Sequence, residues 1–188
     1  MKQKIRLLIL GELALQCGQI VWDIGAGAGS VSIEIARLCP SSTAYAIEKP
    51  AADTTLIQQN CQRFRVENVK PIHSHAPDAL IDLLARNRIL IGGSSGHLSA
   101  ILDYCEKRLV SCRRIVFAIA IFERLTTVFN WLTAEARRES AWGYHLPQTS
   151  LSRAVPISSL IPPSLLNPLI IVTLEHHDYS ITINQQFQ

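Results

Sequence analysis

An α/β fold, with a mostly parallel sheet covered by helices on both faces and an antiparallel hairpin at one edge, is predicted by three features of the chain. Apolar runs of strand length alternate with stretches of helical periodicity over most of the 188 residues. The first run, Val21-Trp22-Asp23-Ile24, empties into the alternating glycines Gly25, Gly27 and Gly29. The next run, Thr43-Ala44-Tyr45-Ala46-Ile47, closes on an acidic residue, Glu48.

The elements follow in order. Ile5, Leu8, Ile9 and Leu13 lie close to helical spacing, which predicts a helix over 4–15, and Gln16-Cys17-Gly18-Gln19 supplies a turn. Strand 20–24, helix 30–38, strand 43–47, helix 52–64, strand 69–73, helix 78–85, strand 88–91, helix 97–109, strand 114–120 and helix 122–137 come next. Strands separated by helices pair in parallel and are buried on both sides. After Trp142 no convincing helix intervenes. Tyr144 to Ala154 and Leu169 to Leu174 read as two strands joined by a proline-rich loop, which form the edge hairpin. The expected domain spans 1–175, with a polar tail over 176–188.

Composition narrows the function. An apolar fraction of 48% with 18% charged residues is globular, and no run reaches the roughly 18 apolar residues of a membrane span. Arg6, Gly11 and Glu12 interrupt the segment after the basic start, which argues against a secretory signal. The five cysteines are odd in number and form no C-x-x-C pair, so neither a zinc site nor a disulfide framework is expected, and a reducing cytoplasm fits them. No metal is expected. A net charge of +3 without a lysine-arginine block argues against a nucleic-acid partner and leaves an anionic small molecule open.

The glycine loop carries the chemistry. Alternate glycines let the backbone turn tightly against a ligand, and the helix that follows aims free amides at it. Glu48, twenty-three residues beyond Gly25, can accept from both hydroxyls of a ribose. A dinucleotide loop, G-x-G-x-x-G, would need a third glycine where Ser30 stands. The spacing G-x-G-x-G, with Asp23 two residues ahead, resembles instead the S-adenosylmethionine (SAM) loop of Rossmann-like methyltransferases.

Further segments narrow the resemblance. Trp22-Asp23-Ile24-Gly25-Ala26-Gly27, Tyr45-Ala46-Ile47-Glu48-Lys49, Ala76-Pro77-Asp78-Ala79-Leu80, Ile91-Gly92-Gly93-Ser94 and Asn167-Pro168 together resemble the decarboxylating precorrin methyltransferases of cobalamin synthesis. These act on carbon 15 of precorrin-6B, either as separate proteins or as the C-terminal half of a fused precorrin-6Y methyltransferase. The chain looks like the separate form. The resemblance implies methyl transfer from SAM to carbon 15, with loss of carbon dioxide from the ring C acetate. It also implies a homotetramer and a possible association with the carbon-5 methyltransferase. Acceptors of another kind, RNA or a protein side chain, and a non-catalytic SAM-binding role are the competing readings.

By the same resemblance, Gly25, Ala26, Gly27, Ala28 and Gly29 match the loop around the methionine moiety, Glu48 the ribose acid, and Ala76 the adenine-side loop. Asp23 either reaches the cofactor's amino group or organises the turn. His75 stands where the family usually has Asp, and reads as a loop histidine or a ligand contact. Arg6 meets a substrate carboxylate or forms a surface ion pair on the first helix. Glu123 and Arg153 are sited where a substrate would lie, with solvated charge as the alternative, and His73 and His176-His177 carry no distinct signal. No catalytic residue is assigned, because a reduced tetrapyrrole already has nucleophilic ring carbons.

Overall fold

The computed structural model describes residues 3–83, 86–119, 122–137, 142–145, 148–149 and 169–176. Along the chain these form α1 (Gln3–Leu13), β1 (Ile20–Ile24), α2 (Ser30–Leu38), β2 (Thr43–Glu48), α3 (Ala51–Phe64), β3 (Val69–His73), a 3-10 turn (Asp78–Leu80) and β4 (Arg86–Ile91). They continue with α4 (Leu98–Arg108), β5 (Leu109–Ile119), α5 (Phe122–Arg137), β6 (Trp142–His145), β7 (Gln148–Thr149) and β8 (Leu169–His176).

The strands build one sheet in the order β3-β2-β1-β4-β5-β8-β6, with β7 also paired to β8. The pairs from β3 to β5 are parallel, and β8 runs antiparallel to β5, β6 and β7. The expected antiparallel edge is therefore present, with the last strand lying inside it rather than outermost. The strand order reverses beside β1, since β2 and β3 lie on one side of it and β4 and β5 on the other. In open α/β sheets that reversal opens a crevice at the strands' carboxyl ends.

Side chains alternate between the two faces as a strand period of two requires. Val21, Ala44, Ala46, Leu90, Val116 and Ile171 pack on one face with Ile9 and Leu13 of α1, Val31 and Ile35 of α2, and Ile57 and Cys61 of α3. Trp22, Ile24, Ile89, Ile91, Phe117 and Val172 point the other way, against Ile101 and Cys105 of α4 and Val128 and Trp131 of α5. In α4 the buried set Leu98, Ile101, Leu102 and Cys105 forms an apolar stripe of helical period. Cys39, Cys61 and Cys105 are buried, as small hydrophobes are.

Four expectations need correction. The helix expected over 78–85 is a single 3-10 turn, Asp78–Leu80. The Leu80 carbonyl accepts from Tyr104 Oη at 3.1 Å as well as from Leu83 N–H at 3.3 Å, and the Ile81 carbonyl accepts from Arg108 Nη2 at 2.7 Å, so α4 side chains compete for the carbonyls at the end of this turn. The helix expected over 4–15 ends at Leu13, where the buried Arg88 donates from Nε to the Leu13 carbonyl at 2.7 Å and from Nη2 to that of Ala14 at 3.2 Å. The strand expected from 114 begins at Leu109, because the segment 109–113 has neither Gly nor Pro to break extended backbone. The single strand expected from Tyr144 is two, β6 and β7, with Pro147 between them in sequence and unable to donate to a ladder. The expected tail start, His176, is the last residue of β8, whereas Met1-Lys2, Arg153, Asn167-Pro168 and residues 177–188 lie outside the described residues. Among the described residues no helix is long and apolar enough to cross a membrane.

Candidate functional site

The carboxyl ends of β1, β2, β3 and β4 stand level, since Ile24 pairs with both Ile47 and Ile91, and Ile47 with Ile72. Above them opens a cleft of ≈ 470 Å³, its mouth and the open solvent in it included. Its wall includes Gly25 beyond β1, Glu48 and Lys49 at the end of β2, Ser74 to Ala76 beyond β3, Gly93 to Ser95 beyond β4, and Ile101 of α4.

The glycine loop is shaped by hydrogen bonds from both neighbouring strands. Gly25 N–H and Ala26 N–H donate to the Ile47 carbonyl at 2.9 and 3.2 Å, while Gly92 and Gly93 donate to that of Ile24 at 2.9 and 3.2 Å. Gly25 has φ +72°, and a Cβ built on it would lie 2.5 Å from the Gly93 nitrogen. Only glycine lets these two backbones approach so closely. Gly27 has φ +56°, but a Cβ there would meet nothing within 4 Å. At Gly29 a Cβ would come within 3.0 Å of Ile57, so this third glycine lets α2 pack against α3.

Glu48 ties the loop to the next strand. Its Oε2 accepts from Gly27 N–H at 2.6 Å and its Oε1 from Lys49 N–H at 3.0 Å. Each carboxylate oxygen keeps a second lone pair for a ligand hydroxyl. Asp23 sits beneath the loop, 2% exposed, and accepts from Ser32 Oγ at 2.6 Å. Burial pushes its carboxyl up to about 6, against the lowering effect of the Ser32 bonds, and the Glu48 charge adds to the rise. Asp23 is not part of the cleft wall, and its bond to Ser32 ties the end of β1 to the first turn of α2.

The structure brings Gly25, Glu48 and Ala76 to one cleft and joins Gly27 to it through Glu48. Ala26, Ala28 and Gly29 complete the loop without lining that cleft. Ala28 instead faces a groove among α1, α2 and α3, and its carbonyl accepts from Asn60 Nδ2 at 3.0 Å. Arg6 also lies in that groove, with Nε 2.6 Å from Glu34 Oε1, an ion pair within the helical layer. The cleft also gathers residues without individual sequence readings: Lys49, Ser74, Ser95 and Ile101. The Gly92-Gly93 pair after an apolar strand is a readable signal, whereas Ile101 arrives only through the packing of α4. Among the described residues there is no cluster of His, Cys, Asp and Glu that could hold a metal ion.

Comparison with known proteins places this geometry. The family model described as a precorrin methyltransferase domain matches residues 1–169. A cobalt-precorrin-6B C(15)-methyltransferase (decarboxylating) of Salmonella typhimurium is 36% identical over 124 residues, which are 66% of this chain and 64% of that protein. The match thus spans just under two thirds of that relative's length. The solved precorrin-6Y C5,15-methyltransferase of Geobacter metallireducens superposes with a TM-score of 0.84 at 30% identity, covering 94% of this chain and 89% of the other. The C-terminal domain of precorrin-6Y C5,15-methyltransferase from Rhodobacter capsulatus gives 0.80 at 28% identity, covering 94% and 90%. The chain belongs to the precorrin methyltransferase family.

Proposed function

We propose that the chain binds SAM in the cleft above β1 and β2, methylates carbon 15 of a precorrin-6B, with or without cobalt, and releases the ring C acetate as carbon dioxide. The observation that carries this reading is the conjunction at one crevice of a bare glycine loop, a carboxylate one strand over, and the Ala76 amide. Ala76 is 6% exposed and its N–H has no hydrogen-bond partner among the described residues. Buried amides are almost always paired, so this one fits a ligand acceptor.

When bound, SAM supplies a methyl group made electrophilic by its sulfonium. The chain's own residues position and shield. Glu48 offers its spare lone pairs to the sugar hydroxyls while holding Gly27, so sugar binding and loop shape are coupled. The loop from Gly25 to Gly29 lies against the methionine arm, with the space beside Gly27 open for it. Ile47, Ala76 and Ile101 give the base an apolar bed. Holding the reacting partners in line is the main contribution such a protein makes. The same reading extends to residues 1–175 as the working unit and to a homotetramer.

The test is incubation of the chain with methyl-labelled SAM and cobalt-precorrin-6B, followed by mass spectrometry and trapping of carbon dioxide. One labelled methyl gained and one carbon dioxide lost per tetrapyrrole is the expected result. Methylation without release of carbon dioxide, or no turnover, overturns the proposal.

A further inference from the structure

At the amino ends of the strands, the edge of the sheet opposite the cleft, the turn before β1 is clasped to the turn before β2. Gly18 N–H donates to Ser42 Oγ at 3.1 Å, Ser42 Oγ donates to the Gln16 carbonyl at 3.5 Å, and Thr43 N–H donates to the Gln19 carbonyl at 3.1 Å. Ser42 N–H in turn donates to the Cys39 carbonyl at 2.9 Å. Each turn carries one cysteine inside this clasp. Cys17 sits between the two residues bonded to Ser42, and Cys39 caps the end of α2. Cys17 is exposed, Cys39 is 7% exposed, and the two thiols are hydrogen-bonded to each other. That bond, together with burial, pushes the Cys39 thiol above its ordinary range, against a lowering bond from Ser42. Cys39 therefore holds its proton while Cys17 faces solvent, which gives the pair an order of reaction.

Two thiols in contact, one open to a small oxidant and the other sheltered behind it, form a dithiol pair rather than two isolated small hydrophobes. We propose that Cys17 and Cys39 form a reversible disulfide when the chain meets a small oxidised disulfide such as glutathione disulfide. The Cys17 thiolate attacks one glutathione sulfur, the glutathione S–S bond breaks, and the released thiolate takes up the proton that Cys17 lost. Cys39 then gives up its proton and attacks Cys17 Sγ; the Cys17–Cys39 bond forms, the mixed disulfide breaks, and the second glutathione leaves with that proton. Two protein thiols are oxidised and one glutathione disulfide is reduced to two thiols. The new bond closes residues 17–39 into a covalent ring that contains β1, the glycine loop and α2. Tying the ends of that segment restricts the unfolded chain, so the oxidised form holds the glycine loop more firmly against unfolding.

The experiment is incubation of the full chain with millimolar glutathione disulfide, alkylation of the remaining thiols, digestion without reductant and mass spectrometry, with scanning fluorimetry of the same samples. The expected result is a peptide pair joined through Cys17 and Cys39 and a Tm about 5–10 °C above that of the reduced chain, both reversed by dithiothreitol. C17S should lose the linked pair and the Tm shift. C39S should stop at a stable glutathione adduct on Cys17, which a purely structural role for the buried thiol would not produce. Glutathione retained on Cys17 of the wild type, Cys17 joined to another cysteine, or Cys17 left unmodified overturns the proposal. A Cys17–Cys39 link that forms with no rise in Tm overturns it as well, because the folded chain would then not hold the two turns at bonding distance.

Discussion

Gly25 and Gly27 stand two residues apart in one loop, and alanine at each should fail in a different way. In G25A the new methyl would sit 2.5 Å from the Gly93 nitrogen, 2.7 Å from its Cα and 2.8 Å from its oxygen, at a residue with φ +72°. Those neighbours are backbone atoms, held by the bonds from Gly92 and Gly93 to the Ile24 carbonyl, so they cannot swing aside as a side chain would. The left-handed conformation costs alanine about 1–2 kcal/mol and the overlap about 1–3 kcal/mol more. Reduced freedom of the unfolded chain returns about 0.5 kcal/mol, leaving a net loss near 3 kcal/mol. For a chain of this size that lowers Tm by about 6–12 °C. G27A carries the conformational cost alone, about 1–2 kcal/mol, because no atom lies within 4 Å of its methyl. Its effect should instead fall on SAM, whose arm needs that space, with Kd rising about tenfold or more. Differential scanning fluorimetry and calorimetric titration of both variants provide the check. A G27A protein that loses more stability than G25A, or that binds SAM as the wild type does, refutes the division of labour.

Three other substitutions probe the surrounding framework. Asp23, raised from 3.8 to about 6 by burial, keeps its proton in the folded state where the unfolded chain has lost it. Its contribution to stability is therefore greatest at low pH and is lost as pH rises from 3.8 to about 6, a change of up to about 3 kcal/mol. D23N should flatten that part of a urea-denaturation profile taken from pH 4 to 7, and an unchanged slope would count against a buried ionising Asp23. E48Q exchanges one acceptor oxygen for an amide that must face the N–H of Gly27 or Lys49; SAM affinity should fall about ten- to hundredfold by calorimetry. R88M leaves the Leu13 and Ala14 carbonyls without their guanidinium donor and should cost about 2–4 kcal/mol, with faster hydrogen exchange in α1 than in β1 or β4. Uniform exchange throughout the chain would contradict a local role for Arg88.

What the sequence made readable was local in origin. The strand, the alternating glycines, the following helix and the acid at the next strand end lie within thirty residues and obey their own periodicities, so the β1 loop and Glu48 could be placed before any contact was seen. The distinction among the three glycines was not readable, because it depends on Gly93 and Ile57, which reach the loop from other elements. The same holds for Asp78–Leu80, where apolar spacing predicts a longer helix but Tyr104 and Arg108 of α4 bond the carbonyls of Leu80 and Ile81. In sequence Arg6 fits a substrate carboxylate or an ion pair, and only the packing of α1 on α2 brings it to Glu34. His75 shows the limit in the opposite sense. A histidine in a loop carries little signal alone, and only the structure sets its Nε2 3.1 Å from Asp78 Oδ2.

The most direct test of the account is a crystal structure of the chain with S-adenosylhomocysteine at saturating concentration. The account predicts the ribose hydroxyls on the Glu48 carboxylate, the homocysteine arm along Gly25–Gly29, and the base between Ile47 and Ile101 with its edge toward Ala76. A nucleoside bound elsewhere, or a cleft left empty with Glu48 bonded to Gly27 alone, would contradict it.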